Sequence, residues 1–417
     1  GTAGALIRTV NDLRSTGALT DKRLIVVSTA ESEMISADHT RLTAQIDPEA
    51  RFFWSRSLEQ DEWVGRERAL VFAWQEYGAP YAAERSVRPR TVNIIGPTLG
   101  CFNAPSDLFE LRRLLRGIGA EINLVYPYEG SIATTPQLAE AAVNIVMYRE
   151  FGTQLAEELG RPYLYAPFGI FGTTDFLRQA AALLDLDPVQ VEAFIAAEKK
   201  TTLQPVWDLW RGPQSDWFAA TDCAIVAARS YVDGLQSFLG SELGMPVRWV
   251  SGRPRRADEP DNIEIRKRLH AGAPAFVFGS INEKIYLSEA NARATHFIPS
   301  TFPGPVVRRT TGTPYMGYAG AAYLMQELVN RFYETVFNYL PVEQITAAPA
   351  AGAAARSDAA VRWTDVAAAR LEQATEAIPF LARISASRAL RSAAEQLARS
   401  AGADAVTLEH VEAALQQ

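Results

Sequence analysis

Short apolar, β-branched runs alternate with amphipathic stretches along most of the 417-residue chain. RLIVVST (23–29) reads as a strand, and SLEQDEWVGRERALVFAWQEYG (57–78) reads as a helix. Ser57 and Gln60 have capping-box spacing there, and Gly78 marks the stop. TVNIIG (91–96) is apolar and β-branched, which fits a buried parallel strand. Leu108, Leu111, Leu114 and Leu115 then line one helical face, with Asp107 as the expected cap, Glu110 as its reciprocal partner and Gly117 as the end. EINLVYP (121–127), NIVMY (144–148) and PYLYA (162–166) continue the strand series, followed by a helix capped near Thr174. DCAIVAA (222–228), PVRWV (246–250), AFVFG (275–279) and HFIPS (296–300) form a further set, with helices near 230–243, 281–290 and 318–340. This alternation predicts α/β layers with parallel sheets, whose ligands sit at the carboxyl ends of the strands. The loops after Gly96, Ala166, Ala228 and Gly279 occupy such ends.

Residues 78–90 are turn-rich and basic and read as a linker, and 343–361 are Ala/Pro/Gly-biased and read as a flexible tether. Residues 362–417 read as a small helical unit with a break at Pro379 and a last helix from Thr407. The length suggests about three domains. No apolar run reaches the ~18–20 residues of a membrane-spanning helix, and the opening GTAGALIRTVNDLRS lacks a secretory pattern. A net charge of −7 argues against nucleic acid or anionic membrane as a partner. Two cysteines make no disulfide framework, which points to a cytoplasmic setting.

The chain has no phosphate-binding G-x-x-x-x-G-K-[ST], no G-x-G-x-x-G after a strand, no H-E-x-x-H, no C-x-x-C and no G-x-S-x-G. Four dispersed histidines make no local zinc signature, although His296 opens a strand beside a loop-rich segment. For Cys101, in PTLGCFNAPSD (97–107), three readings stay open: a packed thiol, a cleft wall or a reactive thiolate. In GSINEK (279–284), Ser280 and Glu283 fit a capped helix start, and with Asn282 they also fit a polar cleft mouth with a proton donor. FPGPVVRRTTGTPYMGYAG (302–320) is a long loop whose Arg308–Arg309 pair suits either a ligand carboxylate or an acidic partner. The three tryptophans of PVWDLWRGPQSDWF suit packing, or the face of a flat macrocycle. Arg383, Arg388, Arg391 and Arg399 make a basic helix in the tail.

Taken together, VNIIGPTLGCFNAPSDLFELRRLLRGIGAEINLVYP, PVWDLWR, GSINEKIYL, FIPSTFPGPVVRRTTGTPYMGYAGAAYLMQEL and LARISASRALRSAAEQLA resemble the Z-subunit family of chlorophyllide a reductase, a nitrogenase-like family. The likeness runs from about residue 2 to the end and fades in 343–361. It implies three Rossmann-like parallel-sheet domains plus a small C-terminal helical domain. The expected spans are 1–88, with the first domain lacking its start, then 89–215, 216–342, the linker 343–361 and the helical domain 362–417. It implies a catalytic component built from Y and Z subunits, as a heterodimer that pairs into a heterotetramer. A separate ATP-hydrolysing X subunit would pass ferredoxin-type electrons through a [4Fe-4S] cluster at the Y–Z interface to bound chlorophyllide a. The C7=C8 bond of ring B would be reduced, a CH–CH oxidoreduction of bacteriochlorophyll biosynthesis.

In that family a cysteine in a G-C-E-N context, ahead of the part matching Gly1, is the expected Z-side cluster ligand; no metal ligand is therefore expected among these residues. For protons the resemblance points to Ser280, at an acidic position of a relative, and to Glu283 one turn on. The expected pigment contacts are Asn103, Asn282, His296, Arg308, Arg309 and Tyr315, with the Cys101 loop as cleft wall. The contrasting expectations are a nitrogenase-like scaffold for cofactor assembly, without catalysis of its own, and a sugar- or nucleotide-binding protein.

Overall fold

The computed structural model describes residues 2–20, 22–35, 38–209, 215–302, 312–337, 362–376 and 380–416. The expected tether 343–361, Pro379, Arg308 and Arg309 lie outside them. The chain divides into two compact units, Gly1–Gln326 and Glu327–Gln417.

Among the described residues the first unit holds three all-parallel sheets. β1 (Ile25–Val27) and β2 (Arg51–Phe53) form a pair. β3 (Arg88–Ile95), β4 (Glu121–Tyr126), β5 (Ala141–Val146) and β6 (Tyr163–Tyr165) are arranged β4-β3-β5-β6. β7 (Cys223–Ala228), β8 (Val247–Arg253), β9 (Phe276–Gly279) and β10 (His296–Pro299) are arranged β10-β9-β7-β8. Each four-stranded sheet therefore starts in its interior, and its chain direction reverses beside the first strand. Such a reversal opens a crevice at the carboxyl edge, where Rossmann-type folds bind ligands. Val92, Ile94 and Ile95 of β3 are fully buried, as are Ala224 and Ile225 of β7, so both faces of these strands are covered by helices. Polar groups also fix the first sheet: Asn93 donates to Asn144 on the neighbouring strand at 2.9 Å and accepts from Asn123 at 2.8 Å.

Three expected helix starts move. The helix Glu62–Tyr77 begins after Asp61, whose carboxylate accepts from the N–H groups of Trp63 and Val64. Ser57 and Gln60 lie outside it, because an aspartate next to the apolar stripe is the stronger acceptor. The helix Ala104–Gly117 starts from Asn103 in the left-handed region (φ 57°), so Asp107 sits inside the first turn and its carboxyl turns inward. The helix Ile170–Leu183 starts after Gly169 (φ 75°), one turn ahead of Thr174. Its free N–H groups are taken by a distant side chain: Ile170, Phe171 and Gly172 donate to the Glu242 carboxylate at 2.6, 3.1 and 3.1 Å.

The second unit packs Asp365–Glu376, Phe380–Ser400 and Leu408–Leu415 around Leu371, Ala394, Ala398, Val406 and Val411. It also contains a parallel pair, Arg362–Trp363 with Ala405–Val406, too short for its period to show in the sequence. The last helix, Leu408–Leu415, starts directly after Thr407, at the expected position. Among the described residues no helix is long and apolar enough to cross a membrane.

The turn beyond β8 is held by a buried ion pair. Arg229 Nη1 and Nη2 reach Glu259 Oε1 and Oε2 at 2.8 and 2.6 Å, and the N–H groups of Gly252 and Arg256 donate to the same carboxylate. Burial alone would raise the Glu259 pKa, but these four donors outweigh it and hold it at about 2. The stabilisation is thus present above the ordinary glutamate range and lost as pH falls toward 2. Glu259→Gln is expected to lower the unfolding free energy by about 3 kcal/mol at neutral pH, measured by urea denaturation, since it leaves buried Arg229 with only the longer ion pair to Asp233 at 3.6 Å.

Candidate functional site

The carboxyl ends of both four-stranded sheets converge on one cavity of about 320 Å³. Gly100, Cys101 and Phe102 reach it from the end of β3, and Tyr148, Glu150 and Phe151 from the end of β5. Ala228 and Tyr231 come from β7 and the helix after it, Thr301 and Phe302 from the end of β10, and Glu62 and Trp63 from the helix Glu62–Tyr77. β3 and β5 flank the reversal of the first sheet, so the wall forms where the fold leaves its crevice. The turn out of β3 needs Gly96, whose φ is +113° and whose added Cβ would stand 3.3 Å from the Tyr148 ring. At Gly100 an added Cβ would meet Arg66 Nη2 at 2.5 Å, so the loop backs directly onto that guanidinium.

The wall is mostly aromatic. Phe102 meets Tyr231 and Phe302 edge-on at 5.8 and 6.0 Å, and Tyr148 stacks on Phe151 at 5.3 Å. Arg66 lies 5.4 Å from the Trp63 and Phe151 rings, with Nη1 3.0 Å from Thr98 Oγ1 and 3.6 Å from Cys101 Sγ. Burial raises the Cys101 thiol pKa, and the bond from Thr98 only partly offsets this. Cys101 is therefore a neutral wall group, and the reactive-thiolate reading loses its support.

Beneath the wall lies Asp107, wholly buried. Its carboxyl accepts from the Tyr231 hydroxyl, from Tyr315 N–H at 2.6 Å and from Met316 N–H at 3.2 Å. Burial pushes its pKa up to about 7 against the pull of these donors. One side chain thus ties the helix after β3, the helix after β7 and the chain entering the long helix from Gly317.

The expected site residues are scattered. Tyr315 is fully buried behind the wall, 5.7 Å from the Phe102 ring, with its hydroxyl donated to Pro299 O. Asn103 donates to Thr313 O at 2.8 Å. Ser280 and Glu283 form a closed capping box: Ser280 N–H and Oγ–H both donate to Glu283 Oε2, at 2.7 and 2.6 Å. Asn282 N–H donates to Ser280 Oγ in the same turn. His296 begins β10, at the edge of the sheet opposite the cavity, with its ring 5.3 Å from Phe276. None of these six lines the cavity. Trp63, Tyr148, Glu150 and Tyr231, which do, escaped the sequence reading. The available signal was Tyr-Arg-Glu directly after an apolar strand.

The described residues do not by themselves supply the ligands of an iron–sulfur cluster. Among them no group of three or more His, Cys, Asp or Glu can hold a metal. Cys223 lies fully buried in β7, and burial, with Asp222 adding to it, pushes its thiol up to about 12.

Because Asp107 binds its proton more tightly in the folded chain, its contribution to stability declines as pH rises from about 4 to about 7. Asp107→Asn is expected to flatten that slope in urea unfolding. Asp107→Ala is expected to cost at least about 3 kcal/mol, since it strands buried donors.

The family described as nitrogenase component 1 type oxidoreductase matches residues 1–333, and that described as proto-chlorophyllide reductase 57 kD subunit matches 363–414. The B subunit of light-independent protochlorophyllide reductase from Chloroflexus aggregans is 30% identical over 258 residues, covering 59% of this chain and 47% of the relative. Its counterpart from Gloeobacter violaceus is 27% identical over 366 residues, covering 79% and 68%. The chain thus spans about half the length of the Chloroflexus relative. A solved structure of nitrogenase Cp1 at pH 6.5 superposes with a TM-score of 0.64 at 14% identity over 82% of each chain, a likeness of fold. The parallel α/β sheets, the crevice at their carboxyl edges and the match over residues 1–333 together show that this chain belongs to the nitrogenase component 1 type oxidoreductases.

Proposed function

We propose that the chain is the Z-type subunit of the catalytic component of a chlorophyllide a reductase, reducing the C7=C8 bond of ring B in bacteriochlorophyll biosynthesis. The observation that carries this reading is the pairing, in one chain, of a nitrogenase component 1 region at 1–333 with a proto-chlorophyllide reductase region at 363–414. The aromatic crevice supports it, since Trp63, Phe102, Phe151 and Phe302 offer ring faces and edges to a flat apolar ligand. The chain's share is to seat one edge of the pigment, exclude water and hold donors beside it. Electrons would come from an ATP-hydrolysing partner through an iron–sulfur centre whose ligands lie outside the residues described here. A Y-type subunit would complete both that centre and the cleft.

Ser280 and Glu283 take a structural part in this reading. Their mutual hydrogen bonds already use the carboxylate oxygen nearest the helix start, so they hold β9 to its helix. Asn103 and Tyr315 support the wall from behind.

The test is to express the protein with its genomic neighbours and supply chlorophyllide a, ATP and a reductant. The expected result is pigment bound by the complex and an absorbance shift of the ring-B-reduced product that requires ATP. Pigment neither bound nor converted, with a metal cluster handed to another protein, would replace this reading with that of an assembly scaffold.

A further inference from the structure

The Tyr231 hydroxyl stands between two acceptors, and its single proton can serve only one of them. Asp107 Oδ2 is the first, and the backbone carbonyl of Phe102, 3.1 Å away, is the second. Burial holds the Tyr231 pKa well above its ordinary value, so the group stays a phenol with one proton to give. Which acceptor receives it depends on whether Asp107 is a carboxylate or an acid. We propose that Asp107 and Tyr231 form a pH-driven switch on the cavity wall: the acid directs the Tyr231 proton to Phe102 and clamps that loop, whereas the carboxylate takes the proton and releases the loop. The device goes beyond the reading above and is independent of what the cavity binds.

The two oxygens of Asp107 are not equivalent, and this decides where an acid proton sits. Oδ1 already faces three N–H donors: Tyr315 N–H at 2.6 Å, Met316 N–H at 3.2 Å and the Asn103 side-chain amide at 3.5 Å. A proton on Oδ1 would meet those donors head-on, so it belongs on Oδ2, which faces Tyr231 Oη. The acid then donates to Tyr231 Oη, and the phenol must turn its own proton elsewhere. Phe102 O is the acceptor within reach. In the ionised state Oδ2 carries no proton, and a charged acceptor outcompetes a neutral carbonyl for the phenol proton. Phe102 O then loses this donor. The Phe102 ring meets Tyr231, Phe302 and Tyr315, so the bond at stake anchors the centre of the aromatic wall.

The surroundings place the change near neutrality. Burial pushes the Asp107 pKa up to about 7. The titratable groups around it are Cys101 ahead of its own helix, Tyr148 and Glu150 at the end of β5, Tyr231 on the helix after β7, and Tyr315 ahead of the long helix. None of these brings a positive charge. The cations on the same elements are committed to other carboxylates: Arg113 to Glu110 and Glu198, Arg149 to Asp233, and Arg229 to Glu259. Arg66, beside Cys101, pairs with Glu62. Asp107 is thus held against burial by neutral donors alone.

The test reads the Phe102 carbonyl directly, in the full chain. Labelling with ¹³C at the phenylalanine carbonyl and ¹⁵N at asparagine marks the two Phe–Asn steps of the sequence, Phe102–Asn103 and Phe337–Asn338, and Asn338→Gln removes the second signal. As pH rises from about 5 to about 9, the Phe102 resonance is expected to move upfield with a midpoint near 7, as a carbonyl does on losing a donor. Hydrogen exchange over residues 99–103, corrected for the intrinsic effect of pH, is expected to lose about threefold or more of its protection across that range. Tyr231→Phe should hold the carbonyl at its high-pH position throughout. Asp107→Asn should hold it at the low-pH position, because the amide donates to Tyr231 Oη as the acid does. Urea midpoints check that each variant is folded; if Asp107→Asn does not fold, the wild type and Tyr231→Phe decide by themselves. A Phe102 resonance constant with pH, one that titrates unchanged in Tyr231→Phe, or a folded Asp107→Asn chain fixed at the high-pH position would overturn the proposal.

Discussion

The carboxyl of Asp107 is the constraint on which the rest of the site depends. It lies in the first turn of the helix that follows β3, yet its partners come from far along the chain: Tyr231, Tyr315 and Met316. Glu150 with Ser230 and Arg149 with Asp233 also join the two carboxyl edges, and Asp107 adds to them the chain at Tyr315 and Met316. Apolar contact is non-directional and permits sliding, whereas a buried carboxyl with fixed donors permits one arrangement. The cavity exists because that arrangement holds β3, β5 and β7 with their loop ends facing one another.

The strands were legible in the sequence because their chemistry is uniform. β7 is an unbroken apolar run and β3 ends in the β-branched Val92, Ile94 and Ile95, a pattern that a strand covered on both faces explains. Helix starts were less legible, because several good caps competed within a few residues. Ser57 lost to Asp61, and Asp107 lost to Asn103, since its carboxyl was drawn into the core by partners more than a hundred residues away. The site was the least legible part. Glu150 and Ser230 stand 80 positions apart and become neighbours only when the carboxyl ends of β5 and β7, in different sheets, face one another, whereas Ser280 and Glu283 look catalytic in a string and hydrogen-bond to each other. Local spacing reports local bonds, and a cavity wall is assembled from ends that share no spacing.

The resemblance seen in the sequence and the family match agree on the class of protein, and the geometry adds what neither supplies. The cavity is rich in aromatic rings, both nearby guanidinium groups are already paired, and its polar side chains are the Cys101 thiol, the Tyr148 and Tyr231 phenols, the Thr301 hydroxyl and the Glu62 and Glu150 carboxyls. In such a low-dielectric space each hydrogen bond to a ligand counts for more than it would in water, and each unmade one costs more.

In Rossmann-type folds the first turn of a helix after a strand is the ordinary phosphate seat, where backbone N–H groups and the helix dipole meet a nucleotide's negative charge. In the helix Ile170–Leu183 that seat is already filled by the chain's own anion, the carboxylate of Glu242, held by three N–H groups. A triphosphate arriving there would have to evict an internal tenant of its own sign. The fold keeps the nucleotide-binding shape and has closed its lock from within.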